Sequence, residues 1–362
     1  MMELIEYIKW RGDLTFDERA LNEVDSILFC AFVYERFDPI FEKHRELTIN
    51  QLVDYYFEMY DEEQLKRRIT LANRSYEIVK AMKNTKRYGD LIVSHFVNEI
   101  DRSQDLQLAA MCFEYKNKWK YIAFRGTDDH IVGWKEDFNM IYKKEVLAQR
   151  KAVEYLQAVI KEESRFKRWF QPYGYYIGGH SKGGNLAMYA ASELNKELQN
   201  KIIRIDNFDG PGFLKHVWEK EGMKNIISKI YSFIPTSSFF GRLFEHHETV
   251  KIIQSSAKGL VQHAMFGWKV DVDCLKAESK LSESSDKAYI RLHEILNELN
   301  EEEKKHFVDA LFMIFERLGI DTIADMVDVN PTKIIKAIME IKNLEGHYRK
   351  IMIEVLMLIV SL

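Results

Sequence analysis

Cysteine is scarce. The 362 residues hold three, Cys30, Cys112 and Cys274, far apart and odd in number. That argues against a disulfide framework and fits a reducing compartment, so the expected location is cytoplasmic. There is no CxxC pair and no close His/Cys cluster to suggest a structural zinc site, and no metal or cofactor is expected. Neither GxxxxGK[ST] nor GxGxxG occurs, which leaves no phosphate-binding loop of those kinds. Long apolar runs are also missing. The opening "MMELIEYIKWRGDLTFDERALNE" carries acids early and has no apolar h-region, so it does not read as a signal peptide. The longest apolar stretch, "IMIEVLMLIVSL", has twelve residues including a glutamate. It is too short to span a bilayer and reads as a buried terminal helix. Neither sign of charge dominates: 52 basic and 56 acidic residues give a net charge of −4, no footprint for a nucleic-acid partner. There is no internal repeat and no long low-complexity tract.

What is present is apolar and aromatic. With 46% hydrophobic residues, 22 Phe, 18 Tyr and 6 Trp, the chain has ample material for a large core and is not expected to be disordered. Residues 1–104 read mainly as helix, with Asn22 capping "NEVDSILFCAFVYERF". "SQDLQLAAMCFEY" and "KWKYIAFRG" are β-rich and separated only by "KNK", which predicts a hairpin. Over 105–276 the period alternates. "VLAQRKAVEYLQAVIKEES" reads as helix running toward Pro172, "YGYYIGG" as strand, "GGNLAMYAASELNKEL" as helix and "KIIRIDNF" as strand. "FLKHVWEKEGMKN" reads as helix, and "ISKIYSFI" and "ETVKIIQSS" as strands. This predicts an α/β fold with a mainly parallel sheet flanked by helices. The polar, serine-rich "AESKLSESSDK" is the best boundary. Beyond it, 277–362 reads as a helical addition. "AYIRLHEILNELN" is amphipathic, "EEEKKHFVDALFMIFERLG" ends on Gly319, and "NPTKIIKAIMEIKN" has Asn330 as cap and Pro331 at its first position.

One stretch carries chemistry. In "YYIGGHSKGGNLAMYA", Gly179-His180-Ser181-Lys182-Gly183 matches G-x-S-x-G between an apolar strand and an apolar-periodic helix. A serine on so sharp a turn sits in a strained backbone, and side chains two positions away on either side would collide with the turn. The helix N-terminus that follows favours developing negative charge. Ser181 is therefore the candidate nucleophile, against a purely structural glycine-rich turn. An acyl-transfer site also needs two N–H donors for its oxyanion. The backbone of Lys182 is one candidate. Thr127, after Arg125-Gly126 at a strand end, is the other.

"AFRGT", the downstream Trp134-x-x-Asp137 and "GHSKGGNLA" resemble the class 3 lipases of the α/β-hydrolase fold. In that family the residue after FRG supplies the second oxyanion donor, which implies Thr127 here. The chain is also similar over nearly its whole length to an uncharacterised bacterial family of lipase-like hydrolases, a domain of unknown function. The shared segments are "KWRGDL", "GHSKGGNLA", "FDGPGF", "SSAKGLVQH" and the helical tail. Neither resemblance assigns a substrate. Arg125 and Asp137 read as an ion pair anchoring the oxyanion loop, and Trp134 as a packing residue.

In this fold the triad order is Ser, acid, His. His263, after the strand "ETVKIIQSS", is the expected base, with His246 and His247 as alternatives and His180 as a buried support. Class 3 lipases carry their acid in a "DxVP" context, where this chain reads Ser232-Phe233-Ile234-Pro235. Asp209, at the tip of the preceding strand, is the first candidate for the acid; Glu245 and Glu248 remain open. Phe239, Phe240, Leu243 and Phe244 read equally as an acyl pocket or lid and as a packed helix. The Lys182 side chain reads as solvated, or as meeting an anionic substrate. The expected function is a serine hydrolase of carboxylic esters, acting on a small ester or an acyl lipid. An acyltransferase, or a non-catalytic binding protein that keeps the fold, are the alternatives.

Overall fold

The computed structural model describes residues 2–68, 72–128, 131–162, 174–319, 339, 341–342 and 346–360. Pro172 and the helix start expected at Asn330 and Pro331 lie outside the described residues.

Successive side chains of a strand point to opposite faces. In β3 (Leu106–Tyr115), Met111, Phe113 and Tyr115 join one apolar cluster, and Leu106, Leu108, Ala110 and Cys112 another. The predicted hairpin is present. Lys116 and Asn117 take φ 45° and 56°, the conformation a two-residue turn of matching twist needs, and lead into β4 (Trp119–Phe124). The sheet has eight strands in chain order: β1 (Glu46–Thr48), β2 (Ile92–Asp101), β3, β4, β5 (Gly174–His180), β6 (Ile202–Phe208), β7 (Ile230–Pro235) and β8 (Thr249–Ile253). Pairings up to β4 are antiparallel; the four from β4 to β8 are parallel.

Strands laid down in order, with connections of one hand, send their helices to a single face. Helices Leu147–Lys161, Lys182–Ser192 and Glu221–Ile226 accordingly pack through Leu156, Leu186, Ala190 and Met223 onto Ile122, Ile177 and Ile205. The opposite face needs another cover. Helices Leu4–Arg11, Glu23–Phe32, Ile49–Met59 and Ser75–Met82 supply it through Ile8, Ile27, Phe29, Leu52 and Val79. Asn22 caps the second of these, its side chain accepting from the N–H of Val24 at 2.9 Å. The stretch before residue 105 is not only helical: it contributes β1 and β2. The sequence hides β2 because a register shift between Ser94 and Val97, with His95 at φ 54°, breaks its alternation.

Helices Glu283–Glu298 and Glu301–Arg317 form a third apolar cluster with Ile141 and Phe239. The last helix, Gly346–Val360, adds Ile351 and Met352 to it. Asn300 caps the middle helix, and Gly319 after it takes φ 62°. Among the described residues no helix is long and apolar enough to cross a membrane.

The N-terminal cover is tied by a fully buried ion pair. Arg87 Nε donates to Asp25 Oδ1 at 2.7 Å, Tyr88 O–H donates to the same oxygen at 2.7 Å, and Arg87 also donates to the carbonyls of Arg19 and Ala20. Removing one partner strands the other's charge. Arg87→Ala is expected to lower the unfolding free energy by roughly 3–5 kcal/mol in urea denaturation; a loss below about 1 kcal/mol would show that the pair does not hold the cover.

Candidate active site

β5 ends in Gly178-Gly179-His180, and the backbone turns at Ser181 to φ 57°, ψ −134°. Only close packing holds a non-glycine residue there. The neighbouring glycines provide it. A Cβ on Gly179 would lie 2.1 Å from the Gly183 carbonyl, and one on Gly183 would lie 2.2 Å from the Phe124 carbonyl oxygen. Gly126 brings the loop after β4 against the turn: its Cβ would lie 2.4 Å from the His180 carbonyl oxygen and 2.8 Å from Ser181 Cβ. Ser181 N–H donates to the Phe208 carbonyl at 2.8 Å, pinning the turn to β6.

That packing sets Thr127 and Lys182 on either side of Ser181. Among the described residues neither backbone N–H has an acceptor. Thr127 Oγ1 donates to Asp137 Oδ2 at 2.6 Å, which fixes the loop. The expected Arg125–Asp137 pair is not formed. Arg125 donates instead to Asn98 Oδ1 at 2.9 Å and lies 3.4 Å from Asp128 Oδ2. The Lys182 side chain is neither solvated nor in the cleft. It is buried and donates to Glu136 Oε2 at 3.1 Å, with Asp137 Oδ1 at 3.7 Å. Glu136, equally buried, also accepts from the backbone N–H of Gln107 and Ala148.

Asp209 stands at the tip of β6 with φ 52°, its N–H donating to the Phe233 carbonyl at 2.8 Å. Its Oδ2 lies 2.7 Å from His263 Nδ1, and its Oδ1 accepts from Ser238 Oγ. Gly241 permits this approach, since a Cβ there would lie 2.3 Å from Asp209 Oδ1. The other two acids serve other histidines: Glu248 binds His246 and Ser232, and Glu245 binds His247. His180 is a buried support. Its Nε2–H donates to the His263 carbonyl at 2.8 Å, so its Nδ1 accepts from Tyr34 O–H, also at 2.8 Å. Burial, with His263 beside it, pushes the His180 imidazole well below its ordinary range and keeps it neutral.

Ser181, His263, Thr127 and Asp137 line one cleft. Apart from Tyr34 and His180, its remaining wall is apolar. Phe239, Phe240 and Leu243 contribute, while Phe244 faces elsewhere. Trp134 packs edge-on to Phe240 at 6.2 Å and also faces the cleft. Leu292, Leu296 and Phe307 of the C-terminal helices roof it. Sequence reasoning missed this roof, and it missed Tyr34, Ser238 and Glu136. None of these belongs to a motif; each reaches the site only through the fold.

A family model described as Mbeg1-like matches residues 82–313, more than half of the chain. The chain belongs to the Mbeg1-like family. The matched part of this Mbeg1-like chain contains Ser181, Asp209 and His263. No curated protein matches it. Similar solved structures include a Rhizomucor miehei lipase–propeptide complex, at 14% identity and TM-score 0.34 over 48% of this chain and 58% of that one. A fungal lipase–inhibitor complex gives 16% identity and TM-score 0.35, covering 58% of this chain and 82% of the other. A mutant of MDLA from Penicillium cyclopium gives 12% identity and TM-score 0.38, covering 69% and 83%. The Mbeg1-like chain thus spans 58% of the length of the first.

Burial pushes the Asp137 carboxyl up to about 6, against the pull of the Lys182 ammonium and the Thr127 hydroxyl. Its folded value lies above the ordinary 3.8, so the native state holds this proton more tightly than the unfolded chain. The stabilisation is complete below the unfolded value and is lost as pH rises through the folded one. Asp137→Asn removes the ionisation. The stability of the variant relative to wild type is expected to rise between about pH 4 and about pH 6.5 in paired urea titrations. An unchanged difference across that window would refute the shift.

Proposed function

We propose that this Mbeg1-like protein is a serine hydrolase of carboxylic esters that works through an acyl-enzyme on Ser181. The observation that carries the reading is the 2.7 Å contact of His263 Nδ1 with Asp209 Oδ2 beside a strained Ser181 in the same cleft. Asp209 accepts the Nδ1–H, which leaves Nε2 of the neutral imidazole as the base. His263 takes the Ser181 proton as Oγ attacks the ester carbonyl. The carboxylate then stabilises the imidazolium, and the Thr127 and Lys182 N–H groups receive the oxyanion. The imidazolium returns its proton to the departing alcohol. Water, deprotonated by the same histidine, releases the acid and restores Ser181.

The apolar wall favours an acyl chain over a polar group. The free volume of the cleft is about 60 Å³, room for a few waters.

A fluorophosphonate probe and a panel of esters of graded chain length test the reading. Wild type is expected to label at one serine. Ser181→Ala should lose labelling and about 10⁴-fold or more in kcat. Asp209→Asn should fall by about 10⁴-fold with its fold retained, and Glu248→Gln should keep its rate. Labelling that survives Ser181→Ala, or a wild type that neither labels nor cleaves any ester, overturns the proposal. Transfer of the acyl group to an added alcohol, in preference to water, would make the protein an acyltransferase.

A further inference from the structure

A second cavity adjoins the first. Tyr34 and Ala72 line both, so the cavities share a wall one residue thick. The second encloses about 380 Å³, within the roughly 300–1,000 Å³ of small-molecule sites. Its lining is more polar than that of the first cleft. Arg36, Arg68 and Arg125 line it with Tyr60 and Gln64, facing one carboxylate, Asp128. A second carboxylate, Glu35, lies behind the wall and accepts from Arg68 Nη2 at 2.8 Å as well as from Tyr56 and Ser75. Even with Glu35 counted, three guanidinium groups meet two carboxylates among the described residues.

Two of these guanidinium groups are under-used. Arg125 is 2% exposed, and its Nε has no acceptor among the described residues. The Nε of Arg68 is likewise cut off from solvent without an acceptor. Arg36 is exposed and takes part in none of the ion pairs among the described residues. A buried N–H without a partner is costly. Guanidinium groups match phosphate and carboxylate oxygens alike, and three of them around one cavity favour the more highly charged anion, a phosphate.

We propose that this second cavity is a phosphate-binding pocket, and that the phosphate is carried on the alcohol side of the ester. Arg125 precedes Gly126 and Thr127, the loop that packs on Ser181. The pocket also shares Tyr34 and Ala72 with the cleft, so an anion held there lies in the cavity beside the one that would take the acyl chain. The second half of the proposal rests on the hydrolase reading; phosphate binding itself does not.

Calorimetry on full-length Ser181→Ala protein, with inorganic phosphate and with glycerol 3-phosphate, tests binding without catalysis. Both probes are expected to bind saturably. Arg36→Ala, and Arg68→Gln combined with Glu35→Gln, are expected to weaken binding about tenfold or more with circular dichroism unchanged. Arg36 is exposed, so its variant answers even if the double variant fails to fold. No saturable binding, or undiminished binding in Arg36→Ala, overturns the pocket. The kinetic arm compares two esters of one acyl chain, with and without a phosphate on the alcohol, in otherwise wild-type protein. Wild-type kcat/KM should favour the phosphate ester by about tenfold, and Arg36→Ala should erase the preference while leaving the neutral ester unaffected. Phosphate binding without that preference makes the ligand free phosphate and overturns the assignment to the substrate. Phosphate binding in a protein that cleaves no ester leaves the pocket standing and sinks the hydrolase reading instead.

Discussion

The backbone of Ser181, at φ 57° and ψ −134°, is the constraint on which the site depends. Such a conformation costs on the order of 1–3 kcal/mol and persists only where its surroundings over-determine it. Three backbone approaches do so: Gly179 against Gly183, Gly183 against Phe124, and Gly126 against His180. Each needs a missing side chain. The same approaches bring the ends of β4, β5 and β6 together, so strain at one residue and convergence of Thr127, Ser181 and Asp209 are one structural fact.

The support for that turn extends further than the parallel strands. Because the crossover helices occupy one face, the N-terminal helices must close the other, and they also reach the site. Tyr34, just past the helix Glu23–Phe32, binds His180, and His180 binds the carbonyl of His263. The position of the imidazole therefore depends on a helix some 230 residues earlier in the chain, seated by the Asp25–Arg87 pair in the same cover.

How much was legible follows from the range of each interaction. Two of the glycines that the turn at Ser181 needs, Gly179 and Gly183, lie within two positions of it, so its motif shows in the sequence. Strand alternation and the two-residue turn at Lys116 and Asn117 are local too. His263 and Asp209 could be named because connection order limits which strand ends meet. Lys182 could not be placed, because its partner Glu136 lies 46 positions away on another helix. The Arg125–Asp137 expectation failed for the same reason: both residues found other partners, Asn98 and Thr127, across the fold. β2 was lost to a bulge that erased its alternation, and the roof was lost because helical periodicity names an apolar face but not what it covers.

The place of the acid bears on whether this site retains its chemistry. Ser232 stands where the class 3 lipase pattern has an aspartate, and its hydroxyl is engaged with Glu248 and Asn207. Read alone, that substitution suggests a dead site. Yet β6 and β7 are adjacent parallel strands, whose tips lie only about 4.8 Å apart. A carboxylate on the neighbouring tip reaches the same imidazole, provided its backbone turns inward and nothing fills the gap. Asp209 meets both conditions, by its φ of 52° and by the bare Cα of Gly241. The Ser238 hydroxyl donates to the other carboxylate oxygen and so fixes the direction of the first. Asp209 stands one strand over from Ser232, and the loop from Ser238 to Gly241 packs around its carboxylate.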